Sequence, residues 1–130
     1  MKTLLQKEVI VTRNQDVGRM SEDFVAGFLE RRGAKILARN YSVHNVGEID
    51  IICAYKEKIL VIEVKSRDFR TRYGTPEEAV TKSKQQKIMR TALEYCKQNH
   101  IALERVSYFV AGVIHDVSGN IHDVQFTPFF

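Results

Sequence analysis

The sequence predicts an α/β fold in which helices pack on a mixed central β-sheet of about five strands. Two segments carry apolar residues at helical spacing, two adjacent β-branched runs are typical of a hairpin, and two further apolar segments follow near the C-terminus. The predicted order along the chain is helix, three strands, helix, two strands (α-β-β-β-α-β-β). Helices that cover a mixed sheet account for that order.

The first predicted helix follows residue 17 and ends at Gly33, since glycine is a frequent helix stop. Its apolar residues at helical spacing are Met20, Phe24, Val25, Phe28 and Leu29. The segment from Lys35 to about Tyr41 is typical of an edge strand.

Two β-branched runs, Gly47 to Ala54 and Ile59 to Lys65, are separated by about four polar residues and predict a β-hairpin. Because side chains alternate between the faces of a strand, Glu63 and Lys65 point to the same face. A short hairpin can bring Asp50 of the preceding strand near Glu63. Taken alone, a Glu-x-Lys pattern on one strand face is commonly an exposed ion pair that contributes about 0.2 to 1 kcal/mol to stability. That alternative is left open.

Two partly buried carboxylates repel each other unless a cation compensates them. Mg²⁺ and Mn²⁺ prefer oxygen ligands, and Mg²⁺ keeps several waters when only one or two carboxylates bind it. Such an ion polarises a phosphoryl oxygen and activates water, while Lys65 orients the attacking water or offsets growing charge. The pattern is therefore that of a phosphodiesterase site at Asp50 and Glu63. Glu48 shares the face of Asp50 and is either an additional ligand or a solvated charge.

The second predicted helix opens at Pro76-Glu77-Glu78, which places acidic residues in its first turn, and ends near Asn99 or His100. Its predicted apolar stripe consists of Ile88, Met89, Ala92, Leu93 and Cys96.

The last two predicted strands run from Val106 to Ile114 and from Ile121 to Phe126, with a turn over Asp116 to Asn120. His115 and His122 flank this turn. They lack metal-ligand spacing, so we expect solvent exposure and assign them no role.

A chain of 130 residues fits one domain that buries roughly two-thirds of its unfolded surface. We expect residues 1–17 to be an N-terminal extension, either a tail or a short strand at Val9-Ile10-Val11, and residues 18–130 to form the domain.

No membrane-spanning run or signal pattern occurs, which favours a cytoplasmic protein that does not contact membranes. Cys53 and Cys96 fall at apolar positions and are expected to be reduced core residues, with a disulfide or zinc site as the less favoured alternative.

Basic residues are concentrated just after the proposed site. Between Ser66 and Arg90, seven basic residues stand against three acidic ones, and the difference equals the net charge of the whole chain, +4. Such charge favours binding to nucleic-acid phosphates, and a solvated helix face is the alternative. The candidate phosphate-binding residues are Arg67, Arg70, Arg72, Lys82, Lys84 and Lys87. The loop from Arg67 to Pro76 is a candidate for an element that closes over a nucleic-acid strand.

Six motifs occur in order between Gly18 and about Ala92. They are Gly18-Arg19-Met20-Ser21-Glu22, Arg39-Asn40-Tyr41, Gly47-Glu48-Ile49-Asp50, Val61-Ile62-Glu63-Val64-Lys65-Ser66-Arg67, Tyr73-Gly74-Thr75-Pro76 and Val80-Thr81-Lys82-Ser83-Lys84-Gln85-Gln86-Lys87. Through these motifs the chain resembles the YraN-like family of small bacterial proteins, also called UPF0102. That family is similar to restriction endonucleases and Holliday-junction resolvases of the PD-(D/E)xK nuclease superfamily.

The resemblance implies a restriction-endonuclease-like fold in which Asp50, Glu63 and Lys65 are the catalytic set, with Glu22 of the first helix beside the metal. Two positions depart from the pattern. Ile49 replaces the proline of the superfamily motif, a position that is loosely kept. Val110 stands where family members usually carry an aspartate, which puts in doubt any contact of that aspartate.

The sequence therefore predicts a Mg²⁺- or Mn²⁺-dependent endonuclease that hydrolyses phosphodiester bonds of DNA through an in-line water. Asp50 and Glu63 would hold the metal, together with the Val64 backbone carbonyl, while Lys65 would assist the attack and Glu22 would orient water or a second ion. A nucleic-acid-binding accessory protein of repair or DNA uptake, with weak or no cleavage, is the alternative, and a structural protein with a relict motif is a third. Linear DNA, flaps, junctions and RNA remain open as substrates. A homodimer is also left open, since resolvases cut junctions as dimers.

Overall fold

Five strands form one mixed sheet, and a helix lies on each of its faces. The computed structural model describes residues 2–68 and 80–130, with side chains from residue 17 onward in the first range. In chain order the elements are α1 (Lys2–Arg31), β1 (Lys35–Val43), β2 (Gly47–Tyr55), β3 (Lys58–Asp68), α2 (Lys82–Asn99), β4 (Val106–His115) and β5 (Ile121–Phe129), with a 3-10 turn at Leu103–Arg105 before β4. The predicted α/β fold and its element order are confirmed.

The strands lie in the sheet in the order β1-β2-β3-β4-β5, so β1 is an edge strand as predicted. Strands β3 and β4 are parallel, whereas every other neighbouring pair is antiparallel. A parallel pair needs a crossover connection, and α2 lies within the segment that joins β3 to β4.

The predicted hairpin is formed by β2 and β3. Its ladder runs from Tyr55 opposite Lys58 to Ile51 opposite Ile62. The two-residue turn between the strands begins at Lys56, whose φ of 50° is in the left-handed region that tight hairpin turns use.

The two faces of the sheet carry separate hydrophobic clusters. The cluster under α1 includes Val25, Leu29, Ile51, Cys53 and Ile62. The cluster under α2 includes Ile52, Val61, Ile88, Ala92 and Val110. Strand alternation places Glu63 on the face of Val61, which is the α2 face.

Helix α1 ends as predicted and begins earlier than predicted. Gly33 has a φ of 93°, and the Ala34 N–H donates to the Leu29 carbonyl at 3.0 Å, which closes the last turn. Residues 9–11 belong to α1, so the expectation of a short strand or a tail was wrong. A helix satisfies its own backbone hydrogen bonds, whereas a strand needs a partner. Two residues of the predicted apolar set, Met20 and Phe24, are exposed.

Helix α2 begins at Lys82, because the side chain of Thr81 accepts a hydrogen bond from the Lys84 backbone N–H at 3.2 Å and caps the first turn. The predicted opening at residues 76–78 lies outside the described residues. The buried stripe is rotated from the predicted one, since Thr91 and Tyr95 are buried and Leu93 is exposed. The helix ends at Asn99, as predicted.

Strand β5 extends to Phe129, three residues beyond the predicted end, because its pairing with β4 continues to that point. The turn before β5 is held by Asp116, whose Oδ1 accepts the backbone N–H groups of Ser118 and Asn120, each at 2.9 Å. His122 is exposed, but the expectation of exposure was wrong for His115, which is buried at the end of β4.

Cys53 and Cys96 are buried free thiols, as predicted. Among the described residues, no helix combines the length and apolar character that crossing a membrane requires.

Candidate active site

Asp50 and Glu63 lie next to each other where β2 and β3 separate. The last pair of the ladder is Ile51 with Ile62, and the next residues are Asp50 and Glu63. Asp50 Oδ2 accepts the Val64 backbone N–H at 2.8 Å, so a carboxylate oxygen replaces a strand carbonyl as the acceptor. The end of the ladder therefore directs the Asp50 carboxyl group toward β3.

The two carboxyl groups lie within hydrogen-bonding distance and are poorly solvated. The side chain of Glu63 is only 5% exposed. Burial, together with the hydrogen bond and charge of Glu63, raises the pKa of Asp50 from 3.8 to about 8. Burial also opposes ionisation of Glu63, but its contacts with Asp50 and Lys84 outweigh burial and lower its pKa. The pair therefore shares one proton at neutral pH.

Two lysines, one from each adjoining element, stand beside the carboxyl pair. Lys84 of α2 places its Nζ 2.7 Å from Glu63 Oε2. Lys65 of β3 is half-buried, and burial together with the neighbouring Lys84 ammonium lowers its pKa. Burial also opposes the charge on Lys84, but contacts with Glu63 and Lys65 outweigh it and raise the pKa. The site thus holds alternating charges contributed by β2, β3 and α2.

A pocket of about 300 Å³ opens in front of these groups. Asp50 and Glu63 line it from the sheet, Lys84 and Lys87 line it from α2, and the exposed Glu48 lies at its rim. The pocket opens to solvent. Glu48 therefore shares the pocket with Asp50.

Glu22 lies at the margin of the site on α1. Its Oε1 is 3.7 Å from Arg39 Nη2, and the same nitrogen is 2.6 Å from Asp23 Oδ1. The charge of Glu22 makes the smallest contribution to the raised pKa of Asp50, after burial and the contacts with Glu63. Within the described part of the chain, however, no three His, Cys, Asp or Glu side chains form a group that could hold a metal ion.

Of the basic residues predicted to contact nucleic acid, Lys84 and Lys87 line the pocket. Lys82 and Lys87 are exposed on the first turns of α2, and Arg67 is half-buried near the end of β3. Arg70 and Arg72, with the remainder of the loop predicted to close over a strand, lie outside the described residues.

Two contacts at the site were not expected from the sequence. Lys84 was predicted to contact phosphate, yet its ammonium is paired with Glu63, and Arg39 holds both Glu22 and Asp23. The sequence contains one indication of the contact between Lys84 and Glu63. The first turn of α2 contains no acidic residue and carries two lysines, although the helix dipole disfavours cations at that end.

Val110 of β4 lies opposite Glu63 in the parallel pair and is fully buried. The position where family members usually carry an aspartate is therefore an apolar wall beside the carboxyl pair.

Comparisons with known proteins agree with the resemblance seen in the motifs. The model of "Uncharacterised protein family UPF0102" matches residues 21–113. A UPF0102 protein of Dictyoglomus thermophilum is 35% identical over 113 residues, which cover 87% of this chain and 94% of the relative. UPF0102 proteins of Desulfosudis oleivorans and Clostridium perfringens are 40% and 45% identical, over 78% and 63% of this chain and 80% and 66% of the respective relatives. The chain belongs to the UPF0102 family.

Proposed function

We propose that this protein is a metal-dependent endonuclease that hydrolyses phosphodiester bonds of DNA. The observation that carries the proposal is the meeting of Asp50 and Glu63 at the end of the hairpin ladder, with Lys65 and Lys84 beside them. Two carboxylates with an adjacent lysine, in a pocket that opens to solvent, are the groups that a phosphodiesterase needs.

The donor set fits Mg²⁺ or Mn²⁺. Glu63 Oε2 is buried and receives no aligned hydrogen bond from the described residues. The Lys84 ammonium lies 2.7 Å from it, so this oxygen already stands beside a cation. All the groups that would hold the ion are oxygens, from Asp50, Glu63 and the Val64 carbonyl, with Glu48 at the rim. Hard divalent cations prefer such ligands. When bound, the ion would polarise a phosphate oxygen and lower the pKa of a water.

The other side chains of the site would have separate roles in the reaction. Lys65 lies on the same strand face as Glu63, and its ammonium would hold the attacking water or offset charge that grows on the phosphate. Glu22, held by Arg39, would orient water at the margin of the pocket. The buried surroundings of Glu63 strengthen each of these interactions, because the local dielectric constant is low.

The basic surface supports a nucleic acid as the substrate. The exposed Lys87 lines the pocket, Lys82 is exposed in the first turn of the same helix, and the net charge of the chain is +4. Phosphate contacts of this kind give affinity that falls steeply with salt and carries little sequence information. Branched DNA of recombination or repair is the substrate class we propose to test first.

Cleavage assays test the proposal directly. Labelled single strands, duplexes, flaps and four-way junctions would be incubated with the protein in Mg²⁺, Mn²⁺ or EDTA. We expect metal-dependent scission that Glu63→Gln and Lys65→Met each reduce by at least about 100-fold, as loss of one electrostatic group at an active site commonly does.

The matched control is Glu57→Gln, since Glu57 is exposed in the turn at the opposite end of the hairpin. It makes the same chemical change far from the pocket and should leave cleavage intact. Binding of DNA without scission in any metal would instead favour the accessory protein. Scission unchanged in Glu63→Gln would exclude this site as its source.

A further inference from the structure

We propose that Lys84 is the resident counter-ion of the site, and that a divalent metal must displace its ammonium from Glu63 in order to bind. The inference rests on the proposed function and adds a residue from α2 that sets the metal affinity of the carboxyl pair. It also assigns Lys84 two positions, one on Glu63 in the metal-free protein and one at the substrate.

The contact between Lys84 and Glu63 lies where a metal would bind. The ammonium is 2.7 Å from Oε2, which is the buried oxygen that lacks an aligned hydrogen bond. Mg²⁺ binds a carboxylate oxygen at about 2.0 to 2.1 Å. Two cations on one oxygen would stand only a few ångströms apart and repel strongly where water is scarce. Metal and ammonium therefore compete for Oε2.

Lys84 can leave Glu63 without disturbing the fold. Its backbone is fixed, since its N–H donates to the Thr81 cap at 3.2 Å in the first turn of α2. Its side chain is 44% exposed, so the ammonium has a path to solvent. Lysine is a flexible chain that carries a compact charge, which suits a residue with two positions. Lys65 differs in its position, because it projects from the central strand β3 and not from a helix.

The displaced ammonium would remain at the entrance of the pocket. Lys87 lines the same pocket one helical turn further along α2. A phosphate that enters between these residues would meet Lys84 after the metal has released it. The sequence-predicted contact of Lys84 with phosphate and its observed ion pair with Glu63 are thus two states of one residue.

Direct measurement of metal binding tests the inference without reference to catalysis. Mn²⁺ affinity would be measured by electron paramagnetic resonance and calorimetry at pH 8 for the wild type, Lys84→Met and Lys84→Arg. Removing a competing cation should tighten binding about tenfold or more in Lys84→Met, whereas Lys84→Arg keeps a cation and should stay close to the wild type.

Lys87→Met is the matched control. Lys87 has the same charge and lies in the same pocket, but within the described part of the chain it makes no ion pair with Asp50 or Glu63. The Mn²⁺ affinity of Lys87→Met should differ from that of the wild type by less than about threefold, as expected for an exposed charge. If Mn²⁺ affinity rises equally in Lys87→Met and Lys84→Met, the effect comes from the loss of any nearby positive charge, and the inference is overturned. Unchanged or weaker binding in Lys84→Met would also overturn it.

Thermal unfolding separates displacement from a loss of structure. In EDTA, Lys84→Met should unfold at a lower temperature than the wild type, because the carboxyl pair has lost its counter-ion. Saturating Mn²⁺ should remove that difference, and a deficit that persists in Mn²⁺ would mark a merely structural lysine. Failure of the proposed function would give a different result. If Lys84→Met binds metal more tightly but the wild type does not cleave DNA, Lys84 is still the counter-ion of the site and the proposal of a nuclease is rejected.

Discussion

Gly47 is a point of close approach between α2 and the sheet, and replacing it with alanine should push the helix and the sheet apart. A Cβ at this position would lie 2.7 Å from Thr91 Oγ1, 3.1 Å from the Lys87 carbonyl oxygen and 3.3 Å from Lys87 Cβ. Real Cβ atoms do not approach other atoms at the first of these distances. Thr91 cannot yield, since it is fully buried and its hydroxyl donates to the Lys87 carbonyl at 2.7 Å.

The strain in Gly47→Ala must therefore be relieved by moving backbone. Because β2 is the strand on which α2 mainly packs, the helix would shift outward and loosen the cluster around Ile88. Overpacking of this kind costs about 1 to 3 kcal/mol. The same shift carries Lys84 away from Glu63, so the site should change as well as the stability. We expect a lower urea midpoint together with altered Mn²⁺ affinity.

Urea unfolding followed by circular dichroism measures the first effect, and calorimetry with Mn²⁺ measures the second. Gly27→Ala is the control, since a Cβ there meets only the flexible end of Arg31 at 3.4 Å within a helix. That variant should gain about 0.5 to 1 kcal/mol, because alanine is the better helix former. A Gly47→Ala protein as stable as the wild type would refute the close approach of α2 to β2 on which the geometry of the site depends.

The remaining predictions concern titration. Because burial and Glu63 raise the pKa of Asp50 to about 8, metal binding below that pH must release a proton, and Mn²⁺ affinity should rise about tenfold per unit between pH 6 and 7.5 before levelling off above 8. An affinity that is flat across this range would contradict the shared proton. The folded pKa of Asp50 exceeds its unfolded value, so wild-type stability in EDTA should fall as the pH rises from about 4 to about 8. Asp50→Asn should be more stable at pH 8 and lose this slope in urea unfolding. Burial raises the pKa of Cys53 to about 11, so iodoacetamide should label it only after unfolding, as mass spectrometry would show. The contact with His122 and turn hydrogen bonds hold the pKa of Asp116 at about 2, below its unfolded value; the stabilisation is present above about pH 4 and is lost toward pH 2. Asp116→Ala should abolish that acid-dependent loss, which unfolding at pH 5 and pH 3 would reveal.

Much of the fold could be predicted because local patterns decide it. The hairpin follows from two β-branched runs around a short polar turn, and the end of α1 follows from Gly33. The start of α2 could not be predicted in the same way. Pro76 and the acids after it are good opening residues, but the observed helix α2 starts where the Thr81 side chain finds the Lys84 N–H.

The candidate site could also be predicted only in part. The common face of Glu63 and Lys65, and the approach of Asp50, follow from the two-residue period of strands and a hairpin register. The pairing of Lys84 with Glu63 depends on how α2 lies across the sheet, which is set by contacts such as Gly47 against Thr91. No local pattern in the sequence specifies that angle.

The arrangement of charge argues that chemistry, and not stability, accounts for this site. Asp50 lies between the buried Ile49 and Ile51, and Glu63 follows the buried Ile62. The raised pKa of Asp50 means that ionising both carboxyl groups destabilises the fold. Uncharged residues of similar size would pack at least as well, since buried ion pairs seldom improve on apolar packing. The register of the hairpin nevertheless holds both carboxylates on the α2 face, where a slip of one residue would send Glu63 and Lys65 to the opposite face. Lys84 supplies an internal cation to this carboxyl pair, and a divalent cation that takes its place is the explanation that we propose.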